Sequence, residues 1–239
     1  MTQAFSNSLD RAWLTREFFQ RDPVTCSREL IGCELVWNRC AGIVVETEAY
    51  AATNDEASHT WTRPSAREFI ARHEAGAAYV YFNYGMYWLL NVLVKGGSED
   101  GFVLLRALEP TRGIPLMTRR RLAHRRSPLA HPRMLCSGPG KLTVALGVDG
   151  QDHGRDLCRG KTVGFLAAPA EADVHADGRI GISRAQHLEW RFTLRGSSFV
   201  SVKPRVVPDG RDLKNAAPRT AHKMTSPHHR GRRRGEEVG

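Results

Sequence analysis

Apolar positions along the chain fall in short runs broken by polar residues, and most of those runs are too short for helices. Cys33 to Trp37 is one such run. Ala41 to Thr47, dense in β-branched residues, is a second and delivers Glu48 and Tyr50 to its rim. Ala77 to Phe82 and Tyr87 to Val94 are apolar and aromatic segments separated by Asn83-Tyr84-Gly85-Met86. This predicts a hairpin with Gly85 at positive φ and the Tyr84 side chain thrust outward at the tip. Phe102 to Leu108 predicts a strand stopped by Glu109-Pro110, and Thr162 to Leu166, Gly178 to Ile182 and Arg191 to Leu194 predict further strands. Helices are expected at Trp13 to Phe19, Val24 to Leu30, Asp55 to His59, Pro64 to Arg72 and in the run to Leu146 that follows Ser137-Gly138-Pro139-Gly140. The strands connect mostly through turns rather than helical crossovers. An α+β fold around an antiparallel sheet follows. From Lys203 onward Pro, Gly, Arg and His replace apolar residues, which predicts one domain over 1–202 and a basic, disordered tail over 203–239.

Composition narrows the function. The hydrophobic fraction of 41% in 239 residues is ordinary for a soluble protein with a real core. The polar N-terminus lacks the apolar region of a signal peptide and no run approaches a membrane span, so an intracellular protein with no membrane partner is expected. The five cysteines contain no C-x-x-C, and the ten histidines contain neither H-E-x-x-H nor an H-x-E followed by P-C-x-x-C. Disulfide scaffolds, zinc hydrolases and zinc deaminases are therefore poor readings, and no metal is expected. The net charge of +10 is local: residues 203–239 carry +6 and residues 112–133, with seven Arg and no acid, carry +7. Positive charge confined to particular surfaces suits a partner studded with phosphates. Arg119, Arg120, Arg121, Arg125, Arg126 and Arg133 are the candidates, against the alternative of a solvated loop.

Candidate chemistry gathers where the aromatics do. All five tyrosines, Tyr50, Tyr79, Tyr81, Tyr84 and Tyr87, fall in one short stretch behind Glu46-Thr47-Glu48. A carboxylate at the end of an apolar strand is partly desolvated, which suits Glu48 to holding and deprotonating a water; a salt bridge is the alternative. Tyr50, His59 and Tyr81 can stack on a base, or simply pack. Tyr84 at a turn is suited to wedge between base pairs. Arg106, a lone charge in an apolar strand, needs a partner, either Glu48, a phosphate, or both; a purely structural ion pair is the alternative. Asn91 is a polar residue in another apolar run and can read a base edge or be satisfied by backbone. Ser137, Gly138 and Lys141 form a turn able to grip a DNA phosphate.

Val45-Glu46-Thr47-Glu48-Ala49-Tyr50, Asp55-Glu56-Ala57-Ser58-His59, Tyr79-Val80-Tyr81-Phe82-Asn83-Tyr84-Gly85-Met86-Tyr87, Leu104-Leu105-Arg106-Ala107-Leu108-Glu109-Pro110 and Cys136-Ser137-Gly138-Pro139 occur in this order. In series they closely resemble the alkyladenine (3-methyladenine) DNA glycosylase family, from about Leu14 to Val202. The resemblance implies a single domain around a curved antiparallel sheet with a protruding β-hairpin, similar to the C-terminal domain of formyltransferases. It implies a monofunctional glycosylase that flips alkylated or deaminated purines out of damaged double-stranded DNA and hydrolyses the N-glycosidic bond, with no cofactor. On that resemblance Glu48 is the general base, with Arg106 and the Ile180 backbone carbonyl helping to hold the water. Tyr50, His59 and Tyr81 form the base sandwich, Asn91 excludes the guanine 2-amino group, and Tyr84 is the wedge. Tyr79 and Tyr87 are expected to be hairpin packing. The family usually has an apolar residue where Asn83 stands beside that wedge. A monomer without an obligate protein partner is expected, at the cytoplasmic nucleoid in a bacterium or in the nucleus of a eukaryote. The alternative is a non-catalytic lesion-binding protein of the same fold.

Overall fold

The computed structural model describes residues 11–124 and 131–205. Its elements, in chain order, are α1 (Arg16–Phe19), α2 (Pro23–Glu29), β1 (Glu34–Trp37), β2 (Cys40–Ala51), α3 (His59–Thr62), α4 (Pro64–Arg72), β3 (Ala78–Asn83), β4 (Tyr87–Val94), β5 (Gly101–Arg112), α5 (Ile114–Ala123), α6 (Pro139–Leu146), β6 (Val163–Leu166), β7 (Val174–Asp177) and β8 (Arg191–Leu194). The strands form one curled, wholly antiparallel sheet in the order β3-β4-β5-β2-β1-β6. β8 joins β2, and β7 joins β8.

β2 is the axis of this arrangement. It pairs with β5 along its length, while on its other edge Cys40–Ile43 bonds β1 and Glu46–Glu48 bonds β8. Because it is covered on both faces, its apolar residues run continuously rather than alternating, as its β-branched composition requires. Thr47 hydrogen-bonds Ser27 of α2, at 2.9 Å between the hydroxyls, which fixes that helix to the sheet. α2 in turn begins where its sequence says it should: the Asp22 carboxylate accepts the Thr25 amide at 2.9 Å and Pro23 occupies the first turn.

The hairpin expected at Asn83–Met86 is present. Tyr84 and Gly85 both take positive φ, +49° and +66°, and the Met86 amide bonds back to the Asn83 carbonyl at 3.0 Å. Tyr84 is 84% exposed and Met86 63%.

Five expectations are corrected. Asp55 to His59 is not a helix; Asp55 accepts the Ala51 and Ala57 amides, which closes a turn, and α3 begins at His59. Gly178 to Ile182 is not a strand, because β7 ends at Asp177, whose carboxylate accepts the Gly178 amide at 2.7 Å, and Gly181 takes φ +74°. The first helix is confined to Arg16–Phe19, since Trp13 instead bridges Leu166 in an extended conformation. β5 does not stop at Glu109-Pro110 but continues to Arg112, with the missing proline donor absorbed by a register shift at Ala41/Gly42. The arginine-rich stretch contains a helix, α5, that its composition gave no reason to expect.

α5 also divides the expected phosphate-binding arginines. Arg120 donates to the Ala145 and Leu146 carbonyls at 3.0 and 2.7 Å, capping the end of α6, and Arg121 is buried. These two serve the fold. Arg119 and Arg133 are exposed, and Arg125 and Arg126 lie outside the described residues. So does the tail from residue 206; before it, the Arg205 amide is held by Asp177 at 3.0 Å.

Candidate active site

One row of the sheet register builds the site. Glu48 on β2 stands opposite Leu104 on β5, Leu104 opposite Asn91 on β4, and Asn91 opposite Tyr79 on β3. Paired residues share a face, so a carboxylate, an amide and a phenol separated by 43 positions at most are set side by side above the curl of the sheet. A cavity of about 440 Å³ opens over this row, lined among others by Tyr50, His59, Tyr81, Asn91, Arg106 and Ile180. Its size is in the range that accepts a small planar ligand.

Glu48 lies behind the cavity wall with 0% exposure, bonded to the lining residues Tyr50, Arg106 and Ile180. Its Oε1 accepts the Ile180 amide at 2.7 Å; its Oε2 accepts the Tyr50 hydroxyl at 2.8 Å and an Arg106 terminal nitrogen at 3.2 Å. Burial pushes this carboxyl above the ordinary glutamate value, against the pull of Arg106 and the Ile180 amide. Tyr50 is driven well above the usual tyrosine value by burial and by the neighbouring Glu48.

Arg106 meets Glu48, one of the partners the sequence offered for it, and Glu46 as well. Glu46 and Glu48 meet Arg106 together despite the irregular register of β2 around Glu46: Arg106 donates its Nε to Glu46 at 2.9 Å and a terminal nitrogen to Glu48. Glu46 also receives the Arg191 Nε at 2.8 Å and the Ser201 hydroxyl at 2.8 Å. Burial would raise Glu46, yet Arg106, Arg191 and the Ser201 amide outweigh it and hold the carboxyl below the ordinary range. The two acids thus differ. Glu46 is a fixed counter-charge, whereas burial makes Glu48 the harder of the two to ionise.

The aromatic walls are in place. His59 and Tyr81 meet edge to face at 4.3 Å between centroids, and Arg63 lies over Tyr81. Burial, assisted by Arg63, lowers the His59 imidazole to about 4, so its ring is neutral near pH 7. Tyr79 is more than hairpin packing: it stacks on Phe102 at 4.5 Å and lines the cavity. Tyr87, expected as hairpin packing, is 43% exposed at the foot of the hairpin. There it meets α6 so closely that a Cβ on Gly140 would fall 2.7 Å from its ring. Asn91 is buried and donates its amide to the Tyr79 carbonyl at 3.1 Å, which fixes the side chain at the cavity wall. Ser137, Gly138 and Lys141 sit at the start of α6, with Gly138 its N-cap at φ +138° and Lys141 exposed. Pro139 of the same turn reaches the cavity. Among the described residues no cluster of His, Cys, Asp and Glu could hold a metal ion, and no helix is long and apolar enough to cross a membrane.

Beyond Glu46, Arg191 and Ser201, sequence reasoning missed Asp55 and Arg179. Both stand inside or beside motifs it quoted, but a pairing across 124 positions leaves no mark in spacing.

Fold and site together set a cavity walled by aromatic rings beside a buried acid–arginine pair. The chain belongs to the methylpurine-DNA glycosylase (MPG) family, whose profile matches residues 17–198. It is 43% identical over 190 residues to a protein of Rhodopseudomonas palustris strain BisB18, covering 79% of this chain and 90% of that one. Similar relatives occur in Agrobacterium fabrum, 41% over 204 residues with 85% and 97% covered, and in Nitrobacter winogradskyi, 40% over 188 residues with 79% and 86% covered. All three bear the name "Putative 3-methyladenine DNA glycosylase". Family and relatives place the chain in DNA repair.

Proposed function

We propose that this protein is a monofunctional DNA glycosylase that extrudes alkylated or deaminated purines, of the 3-methyladenine, hypoxanthine and ethenoadenine type, from duplex DNA and hydrolyses their N-glycosidic bond. The observation that carries this reading is the hydrogen-bonding state of Glu48. An ionised carboxylate offers about four lone-pair positions. Ile180, Tyr50 and Arg106 fill three, so one position, on Oε1, is left to accept a proton from water.

The base enters between Tyr50 on one side and His59 with Tyr81 on the other, where stacking replaces what it loses on leaving the duplex. A neutral His59 lets a cationic alkylpurine stack without repulsion. The water oxygen forms a bond to C1′ as the bond from C1′ to the purine nitrogen breaks. Its proton passes to Glu48, and the electron pair leaves with the base. An alkylated purine departs neutral because it entered positively charged; hypoxanthine or ethenoadenine, which enter neutral, take a proton from solvent on leaving. The Glu48 charge also stabilises the developing oxocarbenium ion. Arg106, balanced by Glu46, keeps Glu48 oriented. Among the described residues no lysine lines the cavity, and the proposed reaction includes no Schiff base and no lyase step. Tyr84, exposed at the hairpin tip, enters the space vacated by the nucleotide, and the start of α6 takes a phosphate.

The test is incubation of the protein with duplexes containing hypoxanthine, ethenoadenine or methylated purines, then alkali. Strand breaks that vanish in Glu48→Gln support the reading; tight lesion binding with every damaged purine left uncut sinks it.

A further inference from the structure

Asp55 and Arg179 form the one ion pair among the described residues in which both side chains are fully buried and joined at both ends: Arg179 meets the two Asp55 oxygens at 2.6 and 2.8 Å. Each partner reaches into a different part of the site. The Arg179 nitrogen that bonds Asp55 also donates to the Ala49 carbonyl at 2.9 Å, the peptide between Glu48 and Tyr50. Its guanidinium carbon lies 4.6 Å from the centre of the Tyr50 ring and 5.3 Å from that of Trp190. The residue that follows it, Ile180, gives its amide to Glu48. Asp55, for its part, accepts the Ala51 amide at the end of β2 and the Ala57 amide in the turn that leads to His59.

We infer that the Asp55–Arg179 pair is a positioning element that sets Glu48, Tyr50, His59 and the Ile180 amide in one preformed arrangement without touching the substrate. The inference rests on the proposed function for its meaning, but not for its test. Three segments converge here, the end of β2, the turn before α3 and the loop after β7, and none of them bonds the others as regular sheet or helix beyond Glu48. Left to themselves, loops do not hold a catalytic geometry to a fraction of an ångström; a bidentate arginine–carboxylate pair, planar at both ends, does. A structural role alone would call for the ion pair but not for contact with the peptide, the ring and the amide that surround one acid.

The consequence concerns Glu48. Its charged form is held by Arg106 from β5, by the Tyr50 hydroxyl and by the Ile180 amide, and is opposed by Glu46; Arg191 on β8 spends its Nε on Glu46. If Asp55 no longer fixes Arg179, the Ile180 amide drifts and the carboxylate loses a donor. Its titration then moves to higher pH.

Asp55→Asn and Arg179→Lys are to be compared with the wild-type protein in two measurements. The first follows Glu48 itself by carbon NMR of glutamate-labelled protein, with the signal assigned by its loss in Glu48→Gln. The second is kcat and KM on a methylpurine duplex. We expect the Glu48 midpoint to rise by about one pH unit in folded Asp55→Asn. We expect kcat to fall about 10- to 100-fold while KM changes little, and Arg179→Lys, which keeps the charge, to lie between the two. A folded variant that is less thermostable but titrates and turns over as wild type overturns the inference. So does the failure of both variants to fold, which would make the pair an element of stability. If the wild-type protein cuts no damaged purine, the proposed function fails while the Glu48 titration still decides this question.

Discussion

Ile180 and Glu48, 132 positions apart, are joined by a hydrogen bond of 2.7 Å from the Ile180 amide to Oε1 of the acid. The resemblance pointed to Ile180 for its carbonyl; the amide adds a second reason for its place. It leaves Oε1 with one lone pair, the position that the proposed function assigns to the reactive water. Replacing Glu48 by Gln keeps the shape and removes the proposed base. Excision is expected to fall at least ~10²-fold, with lesion binding retained, as read from product formation and gel shift on the same duplex.

The pH profile follows from the same group. Because burial raises Glu48, its ionised form is lost on acidification at a pH above that of an ordinary glutamate. On a methylated, already cationic purine, which needs no proton to leave, kcat should decline on the acid side with a midpoint above the usual value of about 4.3. A plateau extending below that value would show that Glu48 is not the base.

Glu46 predicts stability rather than chemistry. Glu46→Gln leaves Arg106 and Arg191 buried with one carboxylate fewer, and should cost about 3–5 kcal/mol in urea unfolding near pH 7. The Glu46 carboxyl is held below its unfolded value, so its contribution is complete above the unfolded value and is lost as pH falls through the folded one. Wild type and variant should therefore converge in strong acid.

The arginines of α5 separate by role. Arg120→Ala removes a cap from the last carbonyls of α6 and is expected to destabilise by about 1–3 kcal/mol, whereas Arg119→Ala should leave the melting curve unchanged and lower the salt dependence of DNA binding. Equal effects on stability would erase the distinction.

Tyr84 predicts a difference between substrates. Tyr84→Ala should lose more activity on duplex than on single-stranded DNA, since only the duplex leaves a gap to fill. Equal losses would remove the wedge role. The tip is strained, with a tyrosine at φ +49°, and a non-glycine residue is held there only where something is gained.

The sequence by itself determined several of the elements and the residue types that gather at the site. Periodicity and turn residues gave β1, β2, the β3–β4 hairpin and α2, because those choices are settled within a few residues. The acid, the aromatics and Arg106 stood out because each was unusual in its own run. Tertiary structure decided what those groups became. Glu46 and Glu48 have the same side chain two positions apart, yet Arg191 and Ser201, brought by β8 and the segment after it, make one a fixed counter-charge while the other is raised by burial. Asp55 became a hub instead of a helix residue because Arg179 reached it across 124 positions. Arg120 was withdrawn from the phosphates by the end of α6. Sequence spacing records neighbours along the chain; the charge state of a buried acid depends on neighbours in space, and these were supplied only when the sheet curled.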